Sequence, residues 1–396
     1  MFRKRLASRG MLLGISLASL VSLRSLAQTH SGFPVDIVAG PGPHPVMADG
    51  RLRLLYELHL TNYAPLRIEL TGIDVPGDGA GSLASYRGEA LDKVVIPVEK
   101  LSRAESPSGI GTRVIGEGHT VVIFMDLTLE PGARPPAELH HRFAFSAARE
   151  NRPTIEATLD GPVVAVVRQP TPLLRAPLRG SYWVALNALG SEDHRRSMNA
   201  VDGKVRIAQR FAIDWMRLGP DGRLFHGDMK SNANFYDYGA EVLAVADGRI
   251  SDLKDGLTKN VGSTERSSRD ITLDNVVGNY VILDLGQGRF ALYAHLQPGS
   301  LKIKLGDTVK TGQVLALLGN SGNSDAPHLH FQLMDANSPI GAEGIPYEFE
   351  GFTQLGSVDD EAAVLDAGQP WRPKTQATPV VHRREFPFDN AVVTFP

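Results

Sequence analysis

His328-Leu329-His330-Phe331-Gln332-Leu333-Met334 is the stretch on which the reading of this chain turns. It is apolar apart from three residues and follows the turn Asn320-Ser321-Gly322-Asn323-Ser324-Asp325-Ala326-Pro327, so it reads as a strand. Residues i and i+2 of a strand share a face, which points both imidazoles to one side. Two adjacent imidazoles are costly if both are charged. The pairing makes sense when one is held neutral by a cation and the other manages protons.

Outward from this stretch the chain reads as β-structure. Glu241–Ala246, Asn279–Leu285, Arg289–His295 and Gln313–Leu318 are predicted strands, and Gly286-Gln287-Gly288 sits between two of them as a hairpin loop. The polar, non-periodic Asp255–Asn275 is predicted to be a surface excursion, and Glu385–Pro396 a terminal strand. Upstream, Gln169–Leu178 holds three prolines in ten residues and marks a linker, placed at 169–179. Before it, residues 33–168 read as short strands between Gly/Pro turns. Arg51–Leu60 alternates with Leu52, Leu54, Tyr56, Leu58 and Leu60 on one face and Arg53, Glu57 and His59 on the other. Val94–Val98, Thr120–Leu127, Leu139–Ser146 and Val163–Val167 are further strand candidates, a number and spacing that suggest an immunoglobulin-like β-sandwich. His140 and His141 are strand neighbours on opposite faces and do not make a metal site.

Composition bounds the chemistry. The chain has 396 residues and no cysteine, which excludes disulfides, thiolate nucleophiles and cysteine-based metal centres. Any metal must sit on His, Asp or Glu. Residues 1–27 combine Arg3, Lys4, Arg5 and Arg9 with the apolar run Met11–Leu23, the pattern of a cleaved secretory signal. Its removal leaves 36 basic residues against 44 acidic ones, a net charge of −8. A chain so acidic is a poor partner for nucleic acid or anionic membrane, and no stable membrane span is expected after cleavage. The expected location is outside the cytoplasm, in the periplasm or secreted.

Within forty residues come Tyr293-Ala294-His295-Leu296, Gly306-Asp307-x-Val309-x-x-Gly312-Gln313-Val314, Gly319-Asn320-Ser321-Gly322 and Pro327-His328-Leu329-His330-Phe331. With Gly239-x-x-Val242-x-Ala244-x-Ala246-Asp247-Gly248 and Gly278-Asn279-Tyr280-Val281, this series resembles the M23 (lysostaphin/LytM-type) zinc metallopeptidases, over about Arg206–Met334. The resemblance implies an M23-like antiparallel β-sheet or barrel domain at 180–352, with 353–396 as a C-terminal extension. It implies zinc as cofactor and peptide cross-links of peptidoglycan, its stem peptides or a related peptide, as substrate. It also implies that Asp214 and His330 are metal ligands, while His328 and His295 serve the activated water and the developing oxyanion. The carboxy-proximal piece 306–316 also resembles biotinyl and lipoyl carrier domains, but no lysine lies between Lys310 and Lys374 to carry the group.

One position departs from the family. The expected His-x-x-x-Asp reads Arg210-Phe211-Ala212-Ile213-Asp214, and an arginine has no lone pair to offer a metal. Either another residue completes the site, with His194 or His226 as candidates and His194 slightly favoured, or Arg210 pairs with Asp214 in a metal-free pocket. The second case resembles the degenerate family members that bind and activate cell-wall amidases. Whether His226 shares the face of Asp214 depends on a one-residue register that the sequence leaves open.

Overall fold

Alternation in Arg51–Asn62 begins the fold. In the computed structural model, which describes residues 33–77, 81–98, 113–261, 270–372 and 378–396, this strand pairs with Val35–Ala39, Val46–Ala48 and Thr120–Thr128. Val95–Pro97 adds to the other side of Thr120–Thr128. A second antiparallel sheet runs Arg152–Asp160, Arg142–Arg149, Ile68–Pro76, Ser82–Tyr86, with Val114–Ile115 also on Ile68–Pro76. Leu54, Tyr56, Leu58 and Leu60 from the first sheet share one apolar core with Leu70, Ile73, Phe143 and Phe145 from the second. These two sheets form the sandwich. The stretch at 94–98 differs from expectation: Gly88–Val94 is a short helix and only Val95–Pro97 is extended. His141 turns inward to meet the Tyr56 hydroxyl at 2.6 Å, while His140 faces out.

The polar face of Arg51–Asn62 is not a solvated one. Glu57 is 1% exposed, and Leu55 belongs to the apolar cluster of the downstream region together with Val46 and Ala48. Phe33–Pro396 is accordingly one compact unit. The proline-rich connection packs back at intervals: Leu173–Leu174 pairs in parallel with Glu348–Phe349, and Leu174 and Leu178 are buried. The expected signal segment lies outside the described residues. Among the described residues no helix is long and apolar enough to cross a membrane.

Downstream, a ten-stranded sheet carries the centre of the molecule. Its order is Thr308–Val309, Gly248–Lys254, Tyr280–Gly286, Arg289–Ala294, Leu329–Met334, Ile213–Arg217, Gly180–Leu186, Ala391–Phe395, Phe352–Ser357, Val380–His382. All the pairings in it are antiparallel. The chain after Phe352 thus supplies three of its strands. The hairpin at 286–288 closes through Gln287 and Gly288, both at positive φ (56° and 69°), the handedness that matches the twist of the flanking strands. One face of the central strands is core: Leu329, Phe331 and Leu333 pack with Ile213, Trp215, Ala291 and Tyr293. The opposite face holds the chemistry.

Candidate metal centre

Register brings the site together. Asp214 is the cross-strand partner of His330, and His330 is also the partner of Ala294, whose next residue is His295. On the other side Asp214 pairs with Leu186, followed by Asn187. Directly opposed residues share a face at close range, so four adjacent strands deliver these groups to one patch. His295 sits at φ 60°, a left-handed conformation that a non-glycine residue adopts at a cost of about 1–2 kcal/mol. Its backbone is held there by bonds from His295 N to Val277 O and from Leu296 N to Asn279 O.

Asp214 is the hub. One carboxylate oxygen lies 2.8 Å from His330 Nδ1 and the other 3.1 Å from His194 Nε2. Asn187 donates to the second oxygen at 2.9 Å, and His328 Nε2 lies 3.6 Å from the first. Rings of His295 and His328 sit 4.7 Å apart, and those of His194 and His330 5.0 Å apart. Among the described residues, His194, Asp214 and His330 form the group whose ligand atoms converge to within 4.8 Å of one another.

Hydrogen-bond partners assign the ring protons. A carbonyl oxygen only accepts, so His295 Nδ1 donates to Ser321 O (2.8 Å) and His328 Nδ1 to Ala326 O (2.9 Å). Both rings therefore keep a bare Nε2. Gln332 donates its amide to Pro339 O and turns its carbonyl to His330 Nε2 at 2.8 Å, which makes that nitrogen the protonated one. In neutral His330 a bare Nδ1 then faces a carboxylate oxygen at 2.8 Å. Two electron-pair donors at that distance repel unless a proton or a cation stands between them. With a second imidazole on the other oxygen, the donor set of two histidines and one carboxylate suits a zinc ion with a position left for substrate or water.

The electrostatics agree. Burial alone would raise the Asp214 carboxyl, but His194, His328 and His330 outweigh it and hold it well below the usual range. Burial opposes charge on His194, and Asp214 overcomes that and raises its pKa. Burial, then the neighbouring His328 and His330, hold His295 well below the usual histidine value. Burial also lowers His328, against the pull of Asp214. Two neutral, buried imidazoles thus stand beside a carboxylate that stays ionised.

Arg210 is elsewhere. Its guanidinium meets Glu57 (2.7 Å) and Glu343 (3.0 Å) and donates to Gly344 O. The i, i+4 rule fails because the strand begins only at Ile213, and the preceding residues are turned by Arg210 N to Ile207 O and Ala212 N to Gln209 O. The expectation that His226 could complete the site is corrected as well. Both edges of Ile213–Arg217 are occupied by other strands, so no hairpin arm can pair there. The 219–223 turn instead leads Phe225 to bridge Phe235, and His226 is exposed with its ring against Tyr236.

The sequence model described as Peptidase family M23 matches residues 233–342. Over these residues the chain is similar to the M23 peptidases. Peptidoglycan DD-endopeptidase ShyA of Vibrio cholerae is 37% identical over 65 residues, 16% of this chain and 15% of that protein. Murein hydrolase activator EnvC of Escherichia coli is 33% identical over 95 residues, 24% of this chain and 18% of that protein. This chain thus spans less than a fifth of the length of either relative. Among solved structures, the catalytic domain of the M23 protein EnpA from Enterococcus faecalis aligns with 43% of this chain and 93% of its own, at 20% identity and a TM-score of 0.26.

The M23 match contains His295, His328 and His330 and begins after Asp214, so His194, Arg210 and Asp214 stand upstream of it. Sequence reasoning missed Asn187 and Gln332. Gln332 was within reach, since it lies two residues beyond His330 on the same strand face. Asn187 carries no such signal, because its contact depends on which strand flanks Asp214.

Proposed function

We propose that this protein is an exported zinc metalloendopeptidase of the M23 type that hydrolyses peptide bonds in peptidoglycan cross-links, with His194, Asp214 and His330 as the metal ligands. The observation that carries the reading is the division of the Asp214 carboxylate between His330 Nδ1 and His194 Nε2. Zinc, when bound, supplies a Lewis acid toward the scissile carbonyl. The chain's own residues supply the rest. His328, with Nδ1–H fixed on Ala326 O and a bare Nε2, accepts the proton of the attacking water. His295, fixed on Ser321 O, presents its own bare Nε2 beside it; that nitrogen accepts from the attacking water and donates to the developing oxyanion only once it has taken up a proton. Gln332 fixes the ring of His330, and Asn187 fixes the carboxylate of Asp214.

The alternative, a metal-free regulator that activates amidases, drew its structural argument from an Arg210–Asp214 pair. Arg210 is engaged by Glu57 and Glu343 instead, which favours the enzyme. The periplasm is the proposed location. Metal analysis of the purified chain is expected to give close to one zinc per molecule. His330→Ala is expected to lose the metal; His328→Ala is expected to keep it and to lose turnover in a muropeptide digestion. A zinc-free wild type, or two variants that digest like wild type, would sink the assignment.

A further inference from the structure

We propose that the N-terminal sandwich sets the position of His194 in the metal centre, with Arg195 and Arg196 as positioning residues. The proposal rests on the reading of His194 as a ligand. His194 lies in the single helical turn Asp193–Arg196, whose N-cap residue Glu192 makes no side-chain capping bond. One turn fixes several dihedral angles for very few hydrogen bonds and does not hold itself in water. Within the turn Arg196 also pairs with Glu192 at 2.5 Å, a contact to a largely exposed carboxylate that adds little; the turn's placement comes chiefly from outside, and the two residues after His194 show where.

Arg195 donates to Met125 O at 2.5 Å and faces Asp126 at 3.6 Å. Arg196 donates to Lys93 O at 2.7 Å. Both guanidinium groups stand over the ring of Phe124, each 5.7 Å from its centroid. All four partners belong to the sandwich. Phe124 is rigidly placed: its neighbours Ile123 and Met125 point into the sandwich core, while Phe124 and Val122 emerge on the other face and pack with Ile207. A few residues on, Arg210 is tied to Glu57 of the same sheet. The segment that carries His194 is therefore anchored to the sandwich at Arg195, Arg196 and Arg210, all downstream of the histidine, and the outer face of one sheet acts as a template for a ligand of the other.

The test is zinc affinity, read by chelator competition on the full chain, with circular dichroism and thermal midpoint on the same samples. Loss of groups that orient a ligand weakens metal binding by about 10–100-fold, and Arg195→Ala and Arg196→Ala are each expected to fall in that range. Arg196→Lys, which keeps a donor and a charge near Phe124, is expected to recover most of the loss. Phe145→Leu, in the opposite sheet of the sandwich, lowers stability without touching the 193–196 turn and is expected to leave zinc affinity unchanged. If Arg195→Ala does not fold, Arg196→Ala and its lysine rescue decide alone. Folded arginine variants with wild-type affinity would overturn the proposal and leave the ligand reading standing. Equal zinc loss in Phe145→Leu would also overturn it, as an effect of general destabilisation. Wild-type affinity in His194→Ala would instead refute the ligand reading itself.

Discussion

Replacing Arg210 by methionine removes the cation from a buried cluster that ties the sandwich to the region of the ten-stranded sheet. Arg210 is 9% exposed, Glu57 1% and Glu343 5%. Without Arg210, Glu343 keeps Arg206 at 3.3 Å and the Ile207 N–H. Glu57 keeps nothing comparable: among the described residues its side-chain hydrogen bonds, three in number, all come from Arg210. Breaking a buried pair by removing one partner costs about 3–5 kcal/mol, because a charge is left desolvated and uncompensated. Arg210→Met is expected in that range, read as the shift in urea midpoint at constant slope. The double variant Glu57→Met/Arg210→Met leaves no orphan charge on that side and is expected to be more stable than Arg210→Met alone. Arg210→His, which restores the histidine of the family pattern, is expected to destabilise the chain and to leave zinc affinity no higher, because this side chain runs to Glu57 and not to Asp214. A cost below about 1 kcal/mol for Arg210→Met, or a rise in zinc affinity for Arg210→His, would refute the reasoning.

Other outcomes follow from the same structure. In the metal-free protein, the depressed Asp214 contributes stability that is lost as pH falls below about 4, and the raised His194 contributes stability that is lost as pH rises above about 6.5. The thermal midpoint of the chelated protein is thus expected to gain from this pair chiefly between those limits, and His194→Gln to flatten that gain; an unchanged profile would count against the ion pair. Burial pushes the Asp389 carboxyl up to about 6, so the cost to folding builds as pH rises from the unfolded value near 3.8 to about 6 and stays in full above it. Asp389→Asn, which can still accept from Ala188 N, is expected to raise the midpoint at pH 8 and not at pH 4. Gln332→Met frees the His330 ring, and chelator competition is expected to show zinc binding weakened by about tenfold or more.

How much of this was legible can be judged residue by residue. Period-two alternation and glycine turns mark the strands because they depend on neighbours in sequence, and the hairpin at 286–288 and the shared face of His328 and His330 follow directly. Val95–Pro97 was misjudged in length because a seven-residue helix, Gly88–Val94, carries too few turns to show a period. The burial of Glu57 is not legible, since alternation separates two faces of a strand but does not say what covers either.

The sequence by itself determined the β class, the M23 resemblance, the restriction of any metal to His, Asp and Glu, and the pairing of His328 with His330, all of which rest on residue type and local period. Only the tertiary structure decided which histidine meets Asp214 and where Arg210 goes. Those choices depend on where the strand containing Asp214 begins, on the strands that flank it, and on a one-turn helix held by the sandwich. Contacts between residues far apart in sequence leave no periodic trace, so an arginine in a ligand position and a histidine twenty residues before Asp214 could exchange significance only once the chain had folded.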